Sequence, residues 1–331
     1  MGNQRIVWMD IGKGIAIICV VLGHCIIGLG SPLKHAIFTF HMPLFFIYAG
    51  ITFKQKPLKS IIETSSKRLL VPFVILFLIQ ALFIMLQAEQ VSLGLIKNIV
   101  LSFLFASAVE VKPWGFAGAG MIWFLMVLFI SRIVVSLLCS LFDKTKAPLL
   151  AQIVFIVAFA ALGIITSRFA YLPFSLDLVP LACLFMFSGH LVKKHNALEK
   201  VMSWPAVAIA LVVWLASMRF CWFSMGDRMF DYAPLAIAGA LAGTLLISKI
   251  SQLIEKAIPP LSTYLAFMGR NSMLVFALHD IESHIVNWGS FALLSSLDGA
   301  WYLLFAARFA LIMLIVLVFM CTPIARGIRK R

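Results

Sequence analysis

Residues 5–24 read RIVWMDIGKGIAIICVVLGH, and this stretch decides how the rest of the chain is understood. It has the apolar content of a membrane-spanning helix, yet it carries Asp10, Lys13 and His24. An ionisable group inside a lipid-spanning helix is costly and therefore marks a functional pathway by default. Lys13 and His24 are eleven positions apart, which at 100° per residue returns to within roughly 20° of the same face, about 16 Å further along the axis. One stripe of one helix thus presents a cation near one membrane surface and an imidazole well inside, an arrangement suited to a long ligand with a charged head and a reactive tip.

The whole chain agrees with this opening. Of 331 residues, 63% are hydrophobic and 12% charged, with a mean hydropathy of +1.05; soluble domains are about half apolar and about a quarter charged. Apolar runs of about twenty residues recur, so the expected fold class is all-α, a polytopic integral membrane protein of about ten transmembrane helices. The spans are read at roughly 9–30, 35–53, 69–88, 121–142, 148–167, 175–192, 203–220, 233–250, 272–293 and 300–321, in one membrane domain over 1–331 without an appended soluble domain. His24 within the first span, and no small-residue cleavage site after it, argue against a discarded signal peptide.

Charge placement gives the orientation. With the N-terminus in the cytoplasm, the inner loops hold eighteen Lys and Arg, from Arg5 through Lys54, Lys56, Lys59, Lys67 and Arg68 to Arg326, Arg329, Lys330 and Arg331. The outer loops hold six: Lys34, Lys97, Lys112, Arg168, Arg219 and Arg228. This bias puts both termini in the cytoplasm. The net charge of +14 then serves topology and meets anionic lipid or a phosphorylated ligand; it does not call for nucleic acid. Six cysteines without a C-x-x-C pair give neither a disulfide framework nor a zinc site.

Two segments outside the spans stand out. About residues 89–120 lie outside; an apolar piece from Ile96 to Ala108, too short to span, precedes Pro113, Trp114 and GFAGAG. It reads as an interfacial or re-entrant segment or as a plain surface helix. The basic inner segment from Lys54 to Arg68 is suited to lie on anionic lipid.

His24 leads the candidates for chemistry. If the first hairpin turns near Pro32 and Leu33, His41 lies as far beyond the turn as His24 lies before it, and both imidazoles reach a similar depth. Such a pair can act as general acid and base, or each ring can simply cap a nearby carbonyl. Pro43 reads as a structural kink, and Gly50 as a point of close packing. Asp10 and Lys13, spaced i,i+3, either form a helical ion pair or give Lys13 to a phosphate or thioester oxygen with Asp10 holding it. Lys67 and Arg68 either obey the topology rule alone or bind phosphate. In the ninth span His279 and Glu282 share one face while Asp280 and His284 share another; they line a polar cavity or pair with Arg308 in the tenth span, and no metal is expected. Trp123 is an interfacial anchor or an aromatic for sugar stacking, and Arg132 is expected to find an internal partner.

Together, DIGKGIAIICVVLGH (Asp10–His24), FHMPLFFIYAG (Phe40–Gly50), KRLLVPF (Lys67–Phe73), WFL (Trp123–Leu125) and GRNSMLVFALH (Gly269–His279) resemble the membrane-bound acyltransferase-3 family, and within it the fucose 4-O-acetylase-like branch. The resemblance implies a ten-helix enzyme that moves acyl groups, usually acetyl from cytoplasmic acetyl-CoA, onto cell-surface sugars. The family pattern of an arginine, ten intervening residues and an essential histidine falls here on Lys13 and His24. Lysine keeps the charge and loses the bidentate, planar fork. Many relatives carry a fused extracytoplasmic hydrolase-like domain; without one, the membrane part or a partner protein must complete the transfer.

The expected activity is therefore O-acyl transfer from acetyl-CoA, the donor substrate, to a glycan or lipid-linked sugar in a bacterial inner (plasma) membrane. The residues expected to carry it are His24, Lys13 and His41 for catalysis, Lys13, Lys67 and Arg68 for the donor, and Trp123, His279, Asp280 and Glu282 for the acceptor. No prosthetic group is expected, and membrane lipid is a further partner. The alternative is a transporter or polysaccharide-export component, in which the charges of spans nine and ten line a conduit. Against it, the sequence has no repeat symmetry.

Overall fold

The computed structural model describes residues 6–26, 31–111, 114–288 and 301–321. The outer ends of the first and ninth expected spans (27–30 and 289–293), Lys112, Pro113, Arg5, Arg326, Arg329, Lys330 and Arg331 lie outside the described residues. The fold is helical, as expected of a polytopic membrane protein. Among the described residues, seven helical runs are long and apolar enough to cross a membrane: Val7–Cys25, Leu58–Gln87, Gly120–Thr145, Leu149–Phe169, Pro173–Lys194, Ala233–Ala257 and Trp301–Cys321.

In chain order the helices are α1 (Val7–Cys25), α2 (Pro32–Ile51), α3 (Leu58–Ser65), α4 (Val71–Gln87), α5 (Leu93–Phe105), α6 (Trp123–Thr145) and α7 (Leu149–Phe169). They continue with α8 (Val179–Lys194), α9 (Leu198–Val201), α10 (Trp204–Phe220), α11 (Ala233–Ala257), α12 (Pro259–Arg270), α13 (Ser272–Ile285) and α14 (Trp301–Cys321). A hairpin of β1 (Phe223–Ser224) and β2 (Met229–Phe230) joins α10 to α11. The chain forms two compact units, one of residues 1–41 with 247–331 and one of residues 42–246.

In the first unit α1 packs along α12. A Cβ added to Gly14 would fall 2.1 Å from the Leu265 carbonyl oxygen, and one on Gly269 1.7 Å from that of Asp10. Each glycine therefore sits on the other helix's backbone. Apolar burial drives little association inside a bilayer, where lipid tails are as apolar as leucine, so close approach through small residues does that work. Ile11, Leu265 and Ala266 close the seam. The ninth span differs from the expected 272–293. It is two helices, α12 and α13, that meet at Asn271, whose Nδ2 donates to the Phe267 carbonyl at 2.8 Å. A break at membrane depth leaves backbone groups open, and side chains of this kind answer them. Two prolines open α12, where the missing donor costs nothing.

In the second unit Gly50 and Gly189 repeat the same device. Their added Cβ atoms would lie 1.8 Å from the Met186 oxygen and 2.1 Å from the Ile47 oxygen, respectively. Leu78, Ile209 and Val212, each more than 60% exposed, show the composition of a lipid-facing surface. The basic segment from Lys54 to Arg68 is largely helical. From Leu58 the chain runs as helix to Gln87, through a π-helical turn at Ser66–Leu70. Its apolar residues explain this, since Ile61 and Leu69 are buried within the unit.

At the other end of the unit, α5 is a short helix ended by Ala106 in the left-handed conformation. The following loop is tucked in: Ser107, Val111, Phe116 and Ala119 are all buried. Arg228 of the hairpin ties it down. Its Nε donates to Asp177 Oδ2 at 2.7 Å, Nη1 to Ser107 Oγ at 3.1 Å and Nη2 to Ser175 Oγ at 3.2 Å. Its guanidinium carbon also lies 4.2 Å from the Tyr171 ring centre.

Candidate active site

The site is built in the first unit, from the outer turns of α1 and α13. Between Lys13 and His24 the stripe on α1 passes Ile17 and Val20, which are 1% and 4% exposed. That stripe therefore faces protein and not lipid. Lys13 Nζ lies 3.7 Å from Asp10 Oδ1, with Asp10 buried and Lys13 half-buried. The helical ion pair is thus formed, and the lysine keeps partial access for a ligand.

His24 occupies the last turn of α1 and its side chain is exposed. The centre of its ring lies 5.5 Å from that of His279 on α13. His279 is fully buried. Its Nδ1 is 2.8 Å from Glu282 Oε1, one turn along the same helix. Arg308 of α14 donates to that same oxygen from Nε at 2.8 Å, and Trp288 donates from Nε1 to Glu282 Oε2. The Arg308 guanidinium also lies 5.8 Å from the Trp288 ring centre.

This network fixes the state of His279. A carboxylate accepts and does not donate, so the hydrogen on the contact with Glu282 belongs to Nδ1, and Nε2 carries the lone pair. Nε2 is buried and has no hydrogen-bond partner among the described residues. An unmet buried acceptor costs about 1–3 kcal/mol. The protein thus holds an imidazole whose free nitrogen is ready to receive a proton, backed by a carboxylate that an arginine keeps in place. Arg308, expected to need a partner, has one in Glu282.

The other candidates are placed as follows. His41 neighbours His24 by way of Phe38. Phe38 lies beside His24, at 6.5 Å between ring centres, and His41 beside Phe38, at 4.9 Å. Pro32 opens α2, where its missing N–H is one of the groups left without an intrahelical partner anyway. His41 Nδ1 caps the Ile37 carbonyl at 2.8 Å. Asp280 is buried, and its backbone oxygen accepts from His284 Nδ1 at 2.8 Å and Ser283 Oγ at 2.7 Å.

Lys67, Arg68 and Trp123 belong to the second unit. Lys67 and Arg68 are exposed on the π-helical turn. Trp123 is 5% exposed, and a Cβ on Gly226 would lie 3.2 Å from its Nε1, so the indole is packed beneath the hairpin. Sequence reading did not single out Trp288 as a donor to Glu282, nor Lys34, whose Nζ donates to the Ile26 carbonyl at 2.9 Å. Neither has a signal in spacing, because each depends on where a helix ends.

The acyltransferase-3 family model, described as an acyltransferase domain, matches residues 6–325 and runs through both units. No curated protein and no solved structure matches the chain. The family match spans nearly the whole sequence, the helices are those of a multi-pass membrane protein, and the chain therefore belongs to the acyltransferase-3 family of membrane acyltransferases.

Proposed function

We propose that the protein is an O-acetyltransferase of the fucose 4-O-acetylase-like branch. It moves an acetyl group from cytoplasmic acetyl-CoA to a hydroxyl of a cell-surface or lipid-linked glycan, in a bacterial inner membrane. The observation that carries this reading is the pair of imidazoles, His24 accessible and His279 buried on the Glu282–Arg308 support, 5.5 Å apart.

In the proposed reaction His24 removes the proton from the acceptor hydroxyl as its oxygen attacks the thioester carbonyl carbon. The carbon–sulfur bond breaks, CoA leaves as thiolate, and the proton returns to the thiolate sulfur. His279 Nε2 relays or shares the proton, because Glu282 favours the positive charge that an imidazole gains. In a variant of this route His24 itself attacks the thioester and an acetyl-imidazole acylates the sugar. Lys13 is assigned to the charged part of the donor. Lys67 and Arg68, on the other unit, are assigned to its phosphates from their chemistry alone.

The test is acceptor-dependent thiol release from acetyl-CoA by the purified protein in detergent, followed with a thiol reagent. Wild type should release CoA when a suitable glycan is present. A folded His24→Ala protein should be slower by about 10²-fold or more, the usual worth of a general base. An unchanged rate in that variant would remove His24 from the mechanism. Absence of release from wild type with any donor and acceptor would favour a conduit over an enzyme.

A further inference from the structure

Arg132 lies nine residues into α6, and Leu137 and Leu141, further toward the helix's inner end, are each 49% exposed. Arg132 is therefore within the apolar depth of its helix, where an arginine requires an anion or a full set of acceptors. It has neither among the described residues. Its Nε donates to Ser65 Oγ at 3.1 Å; its two Nη groups have no protein partner, and no carboxylate forms an ion pair with Arg132, Lys67 or Arg68.

The neighbourhood adds more positive charge. The π-helical turn Ser66–Leu70 packs against α6, and Arg68 on it is near enough for its charge to act on Arg132. Arg132 is half-buried and Arg68 exposed, and two guanidinium groups in one another's field repel unless an anion joins them. The π turn is a second, independent sign. It widens the helix by a residue, is rare, and is frequent at functional sites. Access is also built in. Ser136 and Ser140 follow Arg132 at i+4 and i+8 along α6, and Gln55 Nε2 bridges them at 3.2 and 2.8 Å. A polar track thus leads from Arg132 toward the inner end of the helix.

We infer that Arg132, steadied by Ser65 and joined by Arg68 and Lys67, is a phosphate-binding residue of a site entered from the inner membrane face. The two free Nη groups suit two oxygens of one phosphate, a bidentate contact that lysine cannot make. The identity of the phosphate rests on the acyl-transfer reading, under which it belongs to the nucleotide part of the acyl-CoA donor. An anionic lipid headgroup offers the same chemistry from another source.

The experiment uses the full chain in nanodiscs of phosphatidylcholine alone, titrated calorimetrically with CoA and, as a phosphate-free control, with pantetheine. Arg132→Gln should weaken CoA binding about tenfold or more, the loss expected for a charge-assisted pair, and leave pantetheine unaffected. Arg132→Lys should recover part of the loss. Native mass spectrometry of the same proteins in phosphatidylglycerol discs covers the other source: loss of lipid retention in Arg132→Gln, with CoA binding unchanged, assigns the phosphate to lipid.

Unchanged CoA affinity together with unchanged lipid retention overturns the inference. Should Arg132→Gln fail to fold, Ser65→Ala, which keeps the charge and frees Nε, should still lower the affinity about threefold; no change there overturns it equally. If wild type releases no thiol from acetyl-CoA while Arg132→Gln loses CoA, acyl transfer fails and the phosphate site stands. If thiol release proceeds and CoA affinity ignores Arg132, the reverse holds.

Discussion

Gly14 and Gly269 face each other in the seam of α1 and α12, each against the other helix's carbonyls. Each lies ten residues before a histidine of the site, Gly14 before His24 and Gly269 before His279. Parallel helices locked at these glycines therefore arrive with His24 and His279 at the same level, about 15 Å further along. The seam sets the distance between the two imidazoles.

Gly269→Ala should disturb both stability and activity. The new Cβ would fall 1.7 Å from the Asp10 oxygen, so the helices must part. Overpacking of this kind costs about 1–3 kcal/mol, and a displaced α13 loses the histidine pair. Thermal melting in detergent and thiol release should fall together. Gly94→Ala is the control, because its Cβ would meet only Ser92 Oγ, at 3.6 Å, and it should melt at or slightly above wild type.

Glu282→Gln separates support from chemistry. The change leaves Arg308 buried without its anion, which costs about 3–5 kcal/mol, and turns the acceptor of His279 Nδ1–H into a neutral amide with one oxygen in place of two. Melting temperature and turnover should both drop. In the double variant Glu282→Gln with Arg308→Met, the stranded charge is gone and much of the stability should return. Turnover should stay low, because His279 no longer has a negative charge behind it to favour the imidazolium. Recovery of both would mean that the network is structural only.

Much of this site was legible in sequence, and the reasons are local. His24 and Lys13 fall on one helical stripe by spacing alone, and His279 and Glu282 meet because i,i+3 residues share a face. Arg308 could be assigned to the ninth span because a buried cation in lipid must find an anion. What escaped depends on places where helices stop or break. The π turn at Ser66–Leu70 leaves no composition signal. The meeting of His24 with His279 needs the register of the glycine seam, which no periodicity within a single helix contains.

Arg228→Lys should destabilise the protein without any role in proton transfer. Arg228 serves Asp177, Ser107 and Ser175 at once and stacks on Tyr171, and a lysine cannot reproduce a planar fork. The expected loss is about 1–3 kcal/mol for buried hydroxyl and carboxylate oxygens left without the fork's donors, read as a lower melting temperature. Trp123→Phe, beneath the same hairpin, should likewise appear in the melt. An increase in acceptor KM with unchanged melting would instead give the indole a place at the sugar.

Lys13 decides whether charge or shape is needed at the inner end of the α1 stripe. Lys13→Met removes the charge and leaves Asp10, 4% exposed, without the ammonium 3.7 Å away. The KM for acetyl-CoA should rise about tenfold, the worth of one charge-assisted contact, and kcat should change less, because the reacting carbon lies at the other end of the stripe. Lys13→Arg keeps the charge, supplies the fork found in the family pattern, and should bind the donor at least as well as wild type. Steady-state kinetics on the two proteins give the answer: if Lys13→Met alters kcat and leaves KM alone, the lysine belongs with the reacting atoms and not with the donor's charged end.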